Sequence, residues 1–274
     1  MRREGGMSGL LERFMEHPAA LRPSILDTPE PSWPAAEPDL DRIHRDLACL
    51  DAQGRIAWAH RTFGAGLVMT SSFGAHSAAL LHLATRAVPD IPVVLLDTGY
   101  LFEETYRFAE HLRERLDLRV EVYAPTSSPA RIEALHGRLY EGDEADRALY
   151  HRLHKVEPLQ RALRDLEATG WLAGVRADQT SHRASLRHVE RQDGLFKVHP
   201  ILDWTTERVE AYLDDHRLPF HPLYRWGYRS IGDVHSTRPT GPEEDPRDGR
   251  DLGPRQECGI HLPAATLVPL EPER

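Results

Sequence analysis

Leu67-Val68-Met69-Thr70-Ser71-Ser72-Phe73-Gly74-Ala75-His76-Ser77 is the stretch from which the fold is read. Its first four residues are a short apolar run of strand type, and Ser71-Ser72-Phe73-Gly74 ends it. Ala78, Leu80, Leu81 and Leu83 then lie on one helical stripe. A strand that breaks into small polar residues and opens a helix aims free backbone N–H groups, and the positive helix end, at an anion. Serine hydroxyls add donors, and Gly74 lets the backbone approach closely. The stretch lacks G-x-x-x-x-G-K-S/T and is not a Walker loop. It also lacks G-x-G-x-x-G, which disfavours a dinucleotide fold. Taken alone it is also what a Ser-rich helix cap looks like.

The same alternation continues outward. Ile91 to Leu96 reads as a second strand, ended by Asp97-Thr98-Gly99. Glu103 to Leu116 is an amphipathic helix with Phe108 and Leu112 at i,i+4. Arg119–Tyr123 is a third strand, Val156–Leu166 a helix that tolerates Pro158 in its first turn, and Trp171–Val175 a fourth strand. Arg187–Val189 and Phe196–Val198, around Asp193-Gly194, read as a hairpin. Thr205–His216 is a helix with Thr205 or Thr206 as N-cap. Continuously apolar strands alternating with helices predict an α/β fold, a parallel sheet with helices on both faces. Ligands in such folds bind at the carboxyl ends of strands.

The chain has 274 residues, 40% hydrophobic and 28% charged, an ordinary globular balance. The net charge of −9 disfavours a dedicated nucleic-acid binder. No apolar run is long enough for a membrane span, and no secretory signal is visible, so a cytoplasmic protein is expected. Six prolines lie between Pro18 and Pro38 and seven between Pro239 and Pro272. These stretches predict an N-terminal extension over 1–38, a compact domain over 39–237 and a mobile tail over 238–274. Lys155 and Lys197 are the only lysines among 34 cationic residues. Cys49 and Cys258 are the only cysteines, too few for a disulfide framework or a cysteine-bound cluster. Sixteen histidines are scattered without metal-ligand spacing.

Several motifs fall where strands end. Asp97 can accept from a ribose or base amine, or simply close an Asx turn with Gly99. Arg176 and Arg183 flank Gln179, and guanidinium forks suit phosphate or sulfate oxygens. With Lys155 they supply local cations against an acidic background. Glu257-Cys258-Gly259-Ile260-His261 places a thiol in the tail. A free thiol of pKa about 8.5 is only ~3% thiolate at neutral pH, so neighbouring Arg or His⁺ would be needed to activate it. Cys258 and His261 could also be half of a metal site, but no second pair accompanies them. Cys49, spaced with Leu47 and Leu50, reads as a buried small apolar residue.

Together these segments resemble the phosphoadenylyl-sulfate reductase family. The similarity runs from about Gly66 to His261 and includes Ser71-Ser72-Phe73-Gly74, Leu96-Asp97-Thr98-Gly99-Tyr100, Lys155-Val156-Glu157-Pro158 and Gly174-Val175-Arg176 with Gln179 and Arg183. It continues through Phe196-Lys197-Val198, Tyr228-Arg229-Ser230-Ile231-Gly232-Asp233, Thr237-Arg238 and Glu257-Cys258-Gly259-Ile260-His261. The resemblance implies an adenine-nucleotide α-hydrolase-like fold. It implies catalytic roles for Cys258, Tyr228 and His261. It also implies nucleotide contacts from Ser71, Ser72, Phe73, Gly74, Ser77, Asp97, Gly99, Lys155, Arg176, Gln179, Arg183 and Arg238. Cys258 would take the sulfuryl group as an S-sulfocysteine, and thioredoxin or glutaredoxin would release sulfite. A homodimer is implied as well.

A sister branch acts on adenylyl sulfate and holds an iron–sulfur cluster with four cysteines. Those positions align here with Tyr150, His151, Asp233 and Ser236, none of them a thiol. The resemblance therefore implies no cluster and a 3′-phosphorylated substrate. Two alternatives are a cluster-free adenylyl-sulfate reductase, suggested by Thr237-Arg238-Pro239, and an ATP-pyrophosphatase-type adenylating enzyme, suggested by the Ser71–Ser77 loop.

Overall fold

A computed structural model describes residues 38–241, 243–250 and 260. Six strands form one sheet: β1 (Leu67–Thr70), β2 (Val93–Leu96), β3 (Val120–Tyr123), β4 (Gly170–Ala173), β5 (Val189–Gln192) and β6 (Leu195–Val198). Their spatial order is β3-β2-β1-β4-β6-β5. All neighbours are parallel except the β5–β6 hairpin. Asp193 and Gly194 at its turn have φ of 51° and 83°, the left-handed pair that a tight two-residue hairpin demands.

The helices are α1 (Leu40–Ala48), α2 (Ala52–Phe63), α3 (Ser77–Ala87), α4 (Glu103–Leu116), α5 (Pro129–His136), α6 (Glu144–His151), α7 (Glu157–Asp165), the single turn α8 (Ser181–Ala184) and α9 (Thr206–Asp215). A π-helical turn, Arg152–Val156, joins α6 to α7. Thr205 caps α9 by accepting from the Arg208 N–H.

Side-chain alternation along the strands divides the core. Leu67 and Met69 of β1 and Leu172 of β4 face α2, α3 and α9, packing with Ile56, Leu81 and Leu213. Val68, Trp171 and Ala173 point the other way, toward Leu159 and Leu163 of α7. Each face is therefore covered, which is why the strands read as apolar throughout.

Cys49 departs from its expected place. It is exposed, because α1 ends at Ala48 and Cys49 is its C-cap. Beyond a helix end, i,i+3 spacing no longer maps onto one face. Residues 1–37 of the expected extension, and residues 251–259 and 261–274 of the expected tail, lie outside the described residues. The boundary expected after Thr237 falls inside a paired stretch. Thr237 bridges Arg250, and the Arg238 N–H donates to the Gly249 carbonyl at 2.9 Å. No helix among the described residues is long and apolar enough to cross a membrane.

Candidate active site

The Ser71–Ser77 loop leaves the carboxyl end of β1 and opens α3. Its amides divide into two sets. The Phe73 N–H donates to Ser71 Oγ (3.1 Å), and Ser77 donates through both N and Oγ to the Gly74 carbonyl (3.2 and 2.9 Å). The N–H groups of Ser72, Gly74, Ala75 and His76 donate to nothing among the described residues. Phe73 is fully buried at a positive φ of 47°, a conformation rare for a bulky residue. Burial of its ring holds the turn that exposes the neighbouring amides. Open N–H groups at a helix N-terminus form an anion-receiving concavity.

Arg176 leaves the carboxyl end of the β4 segment and is 5% exposed. Its Nη2 donates to Thr206 Oγ1 (3.1 Å), and its Nε lies 3.5 Å from Asp178. Nη1 is buried with no partner among the described residues. Gln179 Oε1 accepts from the Arg176 N–H (3.1 Å) and from Arg183 Nη1, so one amide fixes the whole turn. His76, at the head of α3, is 3.5 Å from Glu210, and Tyr224 donates to that carboxylate. Burial, then the Arg176 charge, lower the His76 pKa to about 4, against the opposing pull of Glu210. The imidazole is neutral at physiological pH.

Lys155 comes from the π-helical turn. Its Nζ lies 2.6 Å from Asp233 Oδ2, with both side chains nearly fully buried. Thr98, at the end of β2, donates to Asp233 Oδ1 (2.6 Å). Burial alone would raise the Asp233 carboxyl. Lys155, the Thr98 hydroxyl and Arg250 instead hold it well below the usual carboxylate range. Tyr150 and His235 are hydrogen-bonded at 3.0 Å beside this pair, and His235 stacks on Tyr140 with centroids 3.9 Å apart. The segment carrying Asp233 also lies over the loop: a Cβ on Gly74 would stand 3.7 Å from the Ile231 carbonyl.

Asp97 accepts from the Gly99 N–H (2.8 Å) and from Tyr106 (2.6 Å), so it closes an Asx turn. Gly99 has φ +77°, and a Cβ there would meet Pro129 at 2.4 Å, so the turn requires glycine. Tyr228 packs against the cluster of Ala75, Leu223 and Ile231, the first of them a loop residue. Arg238 stands apart: its guanidinium engages the Pro239 carbonyl (3.0 Å) and Glu244 (3.3 Å) at the surface. Cys258 and His261 lie outside the described residues. Among the described residues no three His, Cys, Asp or Glu side chains group as a metal site.

Loop, Lys155 and Arg176 thus ring the carboxyl ends of β1, β2 and β4. The family model for the phosphoadenosine phosphosulfate reductase domain matches residues 66–239, which include all of them. The chain belongs to the phosphoadenosine phosphosulfate reductase family. It is 50% identical over 227 residues to a phosphoadenosine 5′-phosphosulfate reductase of Synechocystis, covering 82% of this chain and 91% of that one. The crystal structure of phosphoadenylyl-sulfate (PAPS) reductase from Candida auris, a phosphate complex, matches with a TM-score of 0.66 and 28% identity. It covers 76% of this chain and all of that one. An FMN adenylyltransferase of Candida glabrata, at TM-score 0.51 and 14% identity over 72% of this chain and 70% of that one, shares the fold alone.

Within this reductase family frame, the sequence reading missed several partners. Asp233 closes the Tyr228-Arg229-Ser230-Ile231-Gly232-Asp233 stretch, but its pairing with Lys155 joins distant segments and leaves no local signal. His76 stands inside the loop, and its neighbours Glu210 and Tyr224 come from α9 and the turn after it. Only the unusual polarity of a residue flanked by Ala75 and Ser77 could have flagged it.

Proposed function

We propose that this chain reduces 3′-phosphoadenylyl sulfate to sulfite and adenosine 3′,5′-bisphosphate, the reductive step of sulfate assimilation. The observation that carries the reading is the set of open amides in the Ser71–Ser77 loop, with the buried Arg176 close enough for its charge to act on His76 of that loop and its Nη1 without a partner among the described residues. A polyanionic nucleotide would supply the acceptors that the loop amides and Arg176 Nη1 lack. Phosphate or sulfate oxygens would accept from the loop amides and from Arg176 Nη1. A charge-assisted bond of this kind is worth about 1.5–3 kcal/mol.

Cys258 is the nucleophile in this reading. Its thiolate attacks the sulfuryl sulfur, the bond from that sulfur to the bridging phosphate oxygen breaks, and the nucleotide leaves with the electron pair. The product on the protein is an S-sulfocysteine. A dithiol protein, thioredoxin or glutaredoxin, then attacks Cys258 Sγ and expels sulfite. Its second thiol resolves the mixed disulfide, so the dithiol supplies both electrons. Lys155 and Arg176 bind the nucleotide and stabilise its leaving phosphate. Tyr228 and His261 belong to the same site in this reading, supported for Tyr228 by its packing on the cluster that includes Ala75 of the loop. No cofactor is required, since the electrons come from the thiols. A cytoplasmic homodimer completes the reading.

Sulfite release is measured with each nucleotide and reduced thioredoxin. Preference for the 3′-phosphorylated substrate is expected, and Cys258→Ser should abolish turnover while retaining nucleotide binding. Undiminished sulfite release by that variant sinks the mechanism. Preference for adenylyl sulfate would keep the thiol and change the substrate.

A further inference from the structure

We propose that Asp178 and Thr206 are positioning residues that hold one edge of the Arg176 guanidinium, so that its other edge is presented to anionic oxygens of the nucleotide. The occupant rests on the reading given above; the bracket itself does not.

A guanidinium is a planar fork with five N–H donors. Nε–H and one Nη2–H lie along one edge, and Nη1 with the second Nη2–H forms the end. In this chain the first edge is taken. Arg176 Nε is 3.5 Å from Asp178 Oδ1, and Nη2 donates to Thr206 Oγ1 at 3.1 Å. Thr206 in turn donates to Asp178 Oδ2 at 3.1 Å. A hydroxyl has one proton to donate. With that proton on Asp178, the Thr206 oxygen can only accept, which is what a cation needs from it. Arg176, Thr206 and Asp178 thus form a closed circuit.

Two separate segments build this bracket. Asp178 lies in the 3₁₀ turn Ala177–Gln179 after β4, and Thr206 is the first residue of α9. The Ala177 N–H donates to the Leu202 carbonyl at 2.8 Å, which pins the turn beside the approach to α9. Glu210, at i+4 from Thr206, lies 3.5 Å from His76 of the loop. One face of α9 therefore holds Arg176 through Thr206 and meets the loop through Glu210. Nη1 stays buried without a partner among the described residues, and the Arg176 charge reaches His76. Burial lowers the Arg176 pKa, and the Asp178 charge opposes it. Asp178 does so without occupying the end of the fork, which remains shaped for two oxygens of one phosphate or sulfate group.

The test uses the full chain, with folding checked by circular dichroism. Thr206→Val keeps the shape and every charge and removes the hydroxyl. Because no charge is altered, a displaced Arg176 guanidinium is what moves the His76 titration, read by NMR without substrate. Its midpoint should move by about 0.5 in pH in Thr206→Val, and return to the wild-type value in Thr206→Ser, which restores the hydroxyl. The Kd for adenosine 3′,5′-bisphosphate, measured by calorimetry, should rise about tenfold in Thr206→Val and stay within about twofold of wild type in Thr206→Ser. Asp178→Ala supplies a second check. A carboxylate that merely repelled the incoming anion would tighten binding once removed; removal of a member of the bracket weakens it, by about threefold. An unmoved His76 titration in Thr206→Val, or tighter binding by Asp178→Ala, overturns the bracket. A wild-type chain that binds no adenosine 3′,5′-bisphosphate refutes the nucleotide reading, and the His76 titration then decides the bracket alone.

Discussion

Arg55 and Arg176 are both buried, at 1% and 5% exposure, and they are opposites. Arg55 is satisfied in every direction. Its Nε donates to the Leu47 carbonyl (2.9 Å), Nη1 to the Pro200 carbonyl (2.9 Å), and the fork meets both oxygens of Asp203 (2.5 and 3.0 Å). It ties α2 to the end of α1 and to the turn before α9. Arg176 has its Nε near Asp178 and Nη2 on Thr206, and leaves Nη1 buried without an acceptor among the described residues. An open buried donor costs about 1–3 kcal/mol, which a finished structural brace would not carry. Burial of a cation is therefore silent about function, and the unmet bond is what speaks.

Substitution should separate the two. Arg55→Ala leaves two carbonyls and a half-exposed carboxylate unpaired, and should cost about 3 kcal/mol of stability in denaturant titration. Its KM for the nucleotide should be unchanged in the folded protein. Arg176→Ala should do the reverse: kcat/KM falls about 100-fold, about 2.7 kcal/mol, while Tm moves by less than about 3 °C. Equal losses of stability in the two variants would erase the contrast.

A smaller effect sharpens the comparison through His76. Its folded pKa of about 4 lies below the unfolded value of 6.5. Between these values the unfolded chain binds a proton that the folded chain refuses, so stability falls as pH drops through that window. Arg176 is the second cause of that depression, after burial. Arg176→Ala should therefore raise the His76 pKa in an NMR titration and shrink the acid loss. Arg55→Ala should leave the titration where it was.

How much of this was legible varied with its physical origin. Strands β1, β2 and β4 were readable because a sheet covered on both faces needs no alternation. Helix α4 was readable to its bounds from Phe108 and Leu112. Helices α1 and α2 did not stand out, since α1 buries only Leu47 and α2 sets the charged Arg55 among its buried positions. Helices α5 and α6 are short and polar and bury little beyond Ile132 and Tyr150. At the site, Arg176, Gln179 and Arg183 were readable as a group because one turn holds them. The Lys155–Asp233 pair, the Glu210–Tyr224 contact and the surface placement of Arg238 depend on where separate segments meet, which local pattern does not encode.

The π-helical turn Arg152–Val156 has a consequence for how this chain can change length. Three consecutive side chains, His154, Lys155 and Val156, are buried there. At 3.6 residues per turn, a regular helix sets successive residues about 100° apart, and the π-helical turn winds them more closely in angle. The widened turn acts as a phase adjuster between α6 and α7, absorbing one surplus residue. Deleting a single residue from this turn would restore ordinary winding. It would rotate Tyr150 and Leu159 out of step and carry the ammonium of Lys155 off Asp233. A change of length by one residue should therefore be far more damaging over these five positions than in the loops before α6 or after α7.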